Sequence, residues 1–143
     1  MLLTLCKYGL GICGVLPYFA FMHEASLVAS LLAIMREERD KYGPGARVTA
    51  VALCCGALSN ALPAALAAAF EIMTRGTEFA GTELTIAEEP LRLACGACGE
   101  EFSPDAFPVS PVAPCPRCGE DFGHRVTAGR ELYVRRLTVE PDP

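Results

Sequence analysis

The chain has 143 residues, with 12 Lys and Arg against 17 Asp and Glu and a net charge of -5. This length accommodates one compact domain, or one α/β core carrying a small metal-stapled lobe, and excludes two full-sized domains. The acidic balance excludes nucleic acid as a partner, because phosphate recognition rests on clustered Lys and Arg, and it favours a protein partner or a cation.

Residues 1–21 carry a single charge, Lys7, and are otherwise mostly apolar, with Gly9, Gly11, Gly14 and Pro17 interspersed. The uninterrupted apolar stretch from Tyr8 to Phe21 is shorter than the roughly 20 residues of a membrane span, so no membrane association is expected. Lys7 follows six residues with uncharged side chains, and Phe19-Ala20-Phe21 makes a poor cleavage site, so export is not expected and the cytoplasm is the expected compartment. We therefore expect Met22 to be the true start, with 1–21 arising from an upstream initiation site.

From residue 24 to 42, Leu27, Leu31 and Ile34, flanked by Val28, Leu32 and Met35, recur at helical spacing. This predicts an amphipathic helix that Gly43-Pro44-Gly45 must stop. A strand follows over 47–54, where Val48, Thr49 and Val51 favour extended backbone, and Gly56 ends it. Ser59 or Asn60 is placed to cap a second helix in which Pro63 lies in the first turn and Leu62, Leu66, Phe70 and Met73 form a stripe. Gly76 closes that helix. Residues 82–88 alternate, with Leu84 and Ile86 on one face, as a half-buried strand does.

The stretch 91–124 has few periodic apolar residues, several prolines and four paired cysteines, so it needs a staple to fold. The chain returns to strand over 130–140, where Leu132 and Val134 share one parity and Leu137 and Val139 the other. A bulge near Arg135-Arg136 would reconcile them.

Cys95-Gly96-Ala97-Cys98-Gly99 and Cys115-Pro116-Arg117-Cys118-Gly119 are two C-x-x-C-G knuckles with sixteen residues between Cys98 and Cys115. That spacing presents two thiolates from each of two tight turns to one tetrahedral ion, and the glycines relieve the bend of each turn. Four soft thiolates suit Zn²⁺, and a filled coordination shell makes the site structural. Two alternatives remain open. One is a pair of disulfides. The other is a rubredoxin-like iron site, against which stands a lobe offering only Phe102, Phe107 and Phe122 as aromatic shielding. His124 follows the completed quartet and is expected as a solvated turn residue. The vicinal Cys54-Cys55 pair reads as small buried hydrophobes on opposite strand faces, whereas Cys6 and Cys13 carry no information.

Met22-His23-Glu24 inside a chain would be a helix start with favourable polar residues. As a chain start, its α-amine, the imidazole of His23 and neighbouring backbone nitrogens form a planar nitrogen set suited to Ni(II) or Cu(II).

Taken in order, several segments resemble the HypA/HybF family of hydrogenase maturation factors. They are Met22-His23-Glu24 with Ser26-Leu27, then Gly56-Ala57-Leu58-Ser59, Phe70-Glu71, Leu84-Thr85-Ile86, the two cysteine knuckles and Gly129-Arg130-Glu131-Leu132. The resemblance runs from Met22 to Glu140. It implies an α+β fold with two helices on a three-stranded mixed sheet and a small zinc-ribbon lobe inserted before the last strand. The implied units are a nickel-binding domain of residues 22–90 plus 125–143 and a zinc lobe of residues 91–124.

The resemblance further implies a non-enzymatic nickel metallochaperone that passes Ni(II) to the large-subunit precursor of [NiFe]-hydrogenase. A HypB-type GTPase would be its partner, some members also serve urease maturation, and a homodimer is compatible with this role. By position, nickel ligation falls on Met22, His23 and Glu24, and structural Zn(II) on Cys95, Cys98, Cys115 and Cys118. If residues 1–21 stay attached, the Met22 amine is consumed in a peptide bond. The rival of a different class is a zinc-ribbon module for transcription or RNA processing. Against it, residues 91–124 carry Arg92 and Arg117 against Glu100, Glu101, Asp105, Glu120 and Asp121, a net -3 that repels phosphate.

Overall fold

The structure is a computed structural model that describes residues 2–3, 20–104 and 113–142, with backbone alone for 2–3 and 20–22. Most of the 1–21 extension, with Cys6 and Cys13, lies outside the described residues, as do Asp105, Phe107 and the side chain of Met22.

Helix α1 runs Ala20–Asp40. Its inward stripe is Glu24, Leu27, Val28, Leu31, Met35 and Glu38, all buried. Ile34 and Leu32 from the expected apolar set are only half-buried, and the stripe begins and ends instead on carboxylates. Glu38 is matched by Lys41 Nζ at 2.6 Å. Strand β2, Arg47–Gly56, follows after the Gly-Pro-Gly turn, and helix α2, Pro63–Thr74, places Pro63 in its first turn as its sequence requires. Leu66 and Phe70 face the core, whereas Leu62 is 61% exposed. It precedes the helix in extended conformation, so the spacing that groups it with Leu66 and Phe70 does not apply to it.

Strand β3, Glu83–Glu89, pairs parallel with β2, and the last strand, β7, Leu132–Glu140, pairs antiparallel with it on the other side. The result is a mixed three-stranded sheet under two helices, an α+β two-layer fold. A two-residue strand β1, Leu2–Leu3, adds to the outer edge of β7 and makes the sheet four-stranded, in the order β1-β7-β2-β3. No helix among the described residues is long and apolar enough to cross a membrane.

The β2–β7 register skips one residue in each strand. Thr49 is unpaired between Val48 and Ala50, and Arg135 is unpaired where Leu53 meets Val134 and Ala52 meets Arg136. The two irregularities compensate, so four cross-strand pairs face the helices: Val48 with Val139, Val51 with Leu137, Leu53 with Val134 and Cys55 with Leu132. A bulge that re-phases alternation is what the Leu132–Val139 parity demands. Cys55 belongs to this core, and Cys54, also buried, lies outside the core cluster.

Between β3 and β7 the chain builds a second, three-stranded sheet, ordered β5-β4-β6, from β4 (Arg92–Ala94), β5 (Glu101–Phe102) and β6 (Arg125–Ala128). Because β6 pairs with β4, this sheet reaches Ala128 rather than ending at His124. A dense backbone crossing joins it to the larger sheet. Ala57 N–H donates to Glu89 O at 3.0 Å, Gly56 N–H to Glu131 O at 2.6 Å, and Leu58 N–H to Gly129 O at 2.6 Å. A Cβ on Gly56 would overlap the Gly129 carbonyl, so the strands cross here only because a residue without a side chain occupies position 56.

Candidate metal centres

The two knuckles are built alike. In the first, Cys95 N–H donates to Glu100 O at 2.8 Å and Gly99 N–H donates to Cys95 O at 2.9 Å. In the second, Cys115 and Gly119 make the same pair of bonds, to Glu120 O and Cys115 O, at the same lengths. Gly99 and Gly119 both adopt φ of 77°, where a Cβ is disfavoured. The repeated C-x-x-C-G spelling therefore encodes a repeated turn.

These turns bring all four sulfur atoms within 4.8 Å of one another. Cys95 Sγ lies 3.6 Å from Cys118 Sγ, and Cys98 Sγ 3.6 Å from Cys115 Sγ. A disulfide requires about 2.05 Å, and all four are free thiols. Four thiolates around a tetrahedral ion with metal–sulfur bonds of about 2.3 Å stand about 3.8 Å apart, which the observed spacing matches.

The electrostatics point the same way. Hydrogen bonding from the Cys98 backbone N–H, aided by that of Ala97 against the opposing effect of burial, lowers the Cys95 thiol from 9.0 to about 6. The Glu100 N–H pulls Cys98 down, but burial and the sulfurs of Cys115 and Cys95 leave it raised. At Cys118 the Glu120 N–H also lowers, yet the Cys95 sulfur, burial and the other two sulfurs push it up to about 12. The turns thus favour a thiolate at Cys95, while crowding of the sulfurs disfavours one at Cys98 and Cys118. A bound dication offsets that effect, so the donor set fits a metal ion of the Zn²⁺ kind.

His124 is not the solvated turn residue its sequence position suggests. It is half-buried, its ring Nε2 lies 2.8 Å from Ala113 O, and it meets Phe102 edge-on at 5.1 Å. It props the second knuckle against the small sheet.

The Met22-His23-Glu24 segment lies at the other end of the molecule's logic. α1 is continuous from Ala20 through these residues, so with residues 1–21 attached the Met22 nitrogen is an amide inside the helix. His23 is half-buried and Glu24 is 2% exposed. The Glu24 Oε1 accepts from Leu62 N–H at 3.3 Å, and its Oε2 is buried without a hydrogen-bond partner. Adjacent helical residues lie about 100° apart, so the imidazole and the carboxylate leave the helix in different directions.

Comparison with known proteins decides the lineage. The sequence model described as "Hydrogenase/urease nickel incorporation, metallochaperone, hypA" matches residues 22–139. The chain belongs to the HypA family. The hydrogenase maturation factor HypA of Solidesulfovibrio magneticus is 44% identical over 119 residues, covering 83% of this chain and 100% of the relative. That of Lawsonia intracellularis is 39% identical over the same span and coverage. A solution structure of a HypA protein aligns with TM-score 0.60 at 25% identity, covering 85% of this chain and 98% of that one. The nickel metallochaperone HypA from Helicobacter pylori aligns with TM-score 0.53 over 83% of this chain and 98% of its own, and at 24% identity it speaks for the fold alone. The chain is thus a hydrogenase maturation factor of a nickel-metallochaperone family.

Proposed function

We propose that this protein captures Ni(II) at the Met22-His23-Glu24 segment and delivers it, without catalysing a reaction of its own, to the large-subunit precursor of [NiFe]-hydrogenase. The transfer takes place in the cytoplasm with a HypB-type GTPase, and urease maturation proteins are further recipients of the same chemistry. The observation that carries this reading is the family match, which opens at Met22 and runs through both knuckles to residue 139. His23 supplies the imidazole, a ligand suited to Ni(II), and backbone nitrogens complete a planar set. Cys95, Cys98, Cys115 and Cys118 hold a structural Zn(II), whose role is to fold the lobe.

Two forms of the protein test the nickel assignment. A chain beginning at Met22 offers its α-amine, so it should bind one Ni(II) with a yellow, square-planar absorption, and His23→Ala should abolish that absorption. The 143-residue chain, in which Phe21 occupies the amine, should bind more weakly, and both should lose nickel on acidification because the ligands must shed protons to bind. Equal affinities for the two forms would remove the amine from the site. Undiminished binding by the His23→Ala chain would remove the site altogether.

A further inference from the structure

α2 begins without a cap of its own. Its N-cap residue is Leu62, extended at φ -94° and ψ 116°, with no side-chain hydrogen bond to the orphan N–H groups of the first turn. The two residues whose chemistry suits a cap are committed upstream. Ser59 Oγ accepts from Ala61 N–H at 3.4 Å and contacts Cys55 Sγ at 3.3 Å. Asn60 takes φ of 59° to turn the chain.

The carboxylate arrives instead from 38 residues away, where Glu24 Oε1 accepts the Leu62 N–H. Glu24 is as buried as the apolar residues of its stripe, with one oxygen unpartnered. Burying a carboxylate is costly unless positive potential offsets it, and the N-terminus of a 12-residue helix is such a source.

We propose that Glu24 is a positioning residue rather than a nickel ligand. Its side chain fastens the first turn of α1, which carries His23, to the start of α2. This inference rests on the nickel reading above and reassigns one of its three residues. With the Glu24 carboxylate held at Leu62, the rotation of the first turn of α1 is restricted, and with it the direction of the adjacent, half-buried His23. A first turn otherwise frays. Holding it still removes an ordering cost that cation capture would have to meet.

The test uses the full chain with three substitutions and one control, read by nickel titration at the square-planar absorption, hydrogen exchange at the Leu62 amide and the imidazole NMR signals of His23. Glu24→Gln keeps an acceptor for Leu62 N–H, so nickel affinity should stay within about twofold and the amide should stay protected. Glu24→Ala removes the acceptor, so affinity should fall about tenfold, the amide should exchange freely and the His23 signals should broaden.

Leu62→Pro removes the donor while leaving the carboxylate untouched, and it should reproduce the affinity loss. Leu62 is extended, with φ of -94° within about 30° of the value proline prefers, and Leu62→Ala, which keeps the N–H, controls for loss of the side chain. If Glu24→Gln loses nickel as fully as Glu24→Ala while Leu62 stays protected, the carboxylate is a ligand and the inference is wrong. Wild-type affinity in Leu62→Pro would equally overturn it. Should Glu24→Ala not fold, the contrast between Gln and Pro still decides. Failure of the nickel reading itself shows elsewhere, as undiminished binding by His23→Ala.

Discussion

The larger layer and the four-cysteine lobe solve the same problem by different means. Under α1 and α2 the sheet buries Leu31, Met35, Val51, Phe79, Val134 and Leu137 to 1% exposure or less, so apolar area removed from water holds it together. In the lobe, β4 has three residues and β5 two, and the buried side chains include two of the four clustered cysteines, Cys95 and Cys115. Two or three residues per strand bury too little to offset chain entropy. The lesson is that one chain combines a core held by exclusion of water with a lobe whose apolar burial is too small to hold it and whose four sulfurs are placed to do so through a metal, and the two should fail under different insults.

The largest expected effect follows from removing the metal. Structural zinc in small lobes carries apparent binding free energies on the order of 10 kcal/mol, and that energy is folding energy. A strong chelator, or Cys95→Ala, should therefore disperse the NMR signals of the β4, β5 and β6 region into the unfolded range. The signals of α1, α2, β2, β3 and β7 should remain. Metal analysis of the reduced, untreated protein should find one zinc per chain. A well-folded lobe with no zinc would erase the distinction between the two regions.

The reciprocal insult is smaller. Leu137→Ala empties a site of 0% exposure opposite Val51 and should cost about 2–5 kcal/mol, seen as a lower melting temperature of the larger layer. Zinc content should not change. Loss of zinc in this variant would mean that the lobe depends on the layer beneath it.

Much of this division is legible in the residues themselves. Alternation changes parity between Val134 and Leu137, and the unpaired Arg135 is the result. The C-x-x-C-G spelling fixes each knuckle through its own backbone, so the four sulfurs meet as spacing requires. What local pattern does not carry is contact made across the chain. Ser59 and Asn60 look like caps for α2, but the side chain that accepts from the start of that helix is Glu24, whose own neighbourhood marks it only as a residue of the α1 start. Leu62 fits the α2 stripe by count and is exposed because it precedes the helix. The pairing of Leu2–Leu3 with β7, the extension of the small sheet to Ala128 and the packing of His124 on Phe102 all rest on partners distant in sequence. Periodicity reports which way a side chain faces along one element, and it is silent about which element it meets.

The crossing between the two regions gives the smallest and most discriminating prediction. Gly129 has φ of 109°, and a Cβ there would lie 2.9 Å from Leu91 Cα, where the chain enters the lobe. Its carbonyl receives Leu58 N–H, and its N–H donates to Glu131 Oε2 at 2.6 Å. Gly129→Ala combines an unfavourable backbone region with a close backbone approach, a strain of about 1–3 kcal/mol. Neither the hydrophobic core nor the sulfur cluster is touched, so zinc should stay bound and Leu137 should stay buried. The chemical shifts should move on both sides of the crossing, in Glu89–Leu93 and in Ala57–Ser59, and the melting temperature should drop by a few degrees. If only the lobe responds, the crossing is a flexible tether and the two regions are mechanically separate. If both respond together, the glycine crossing is where the apolar layer and the four-cysteine lobe are joined into one body.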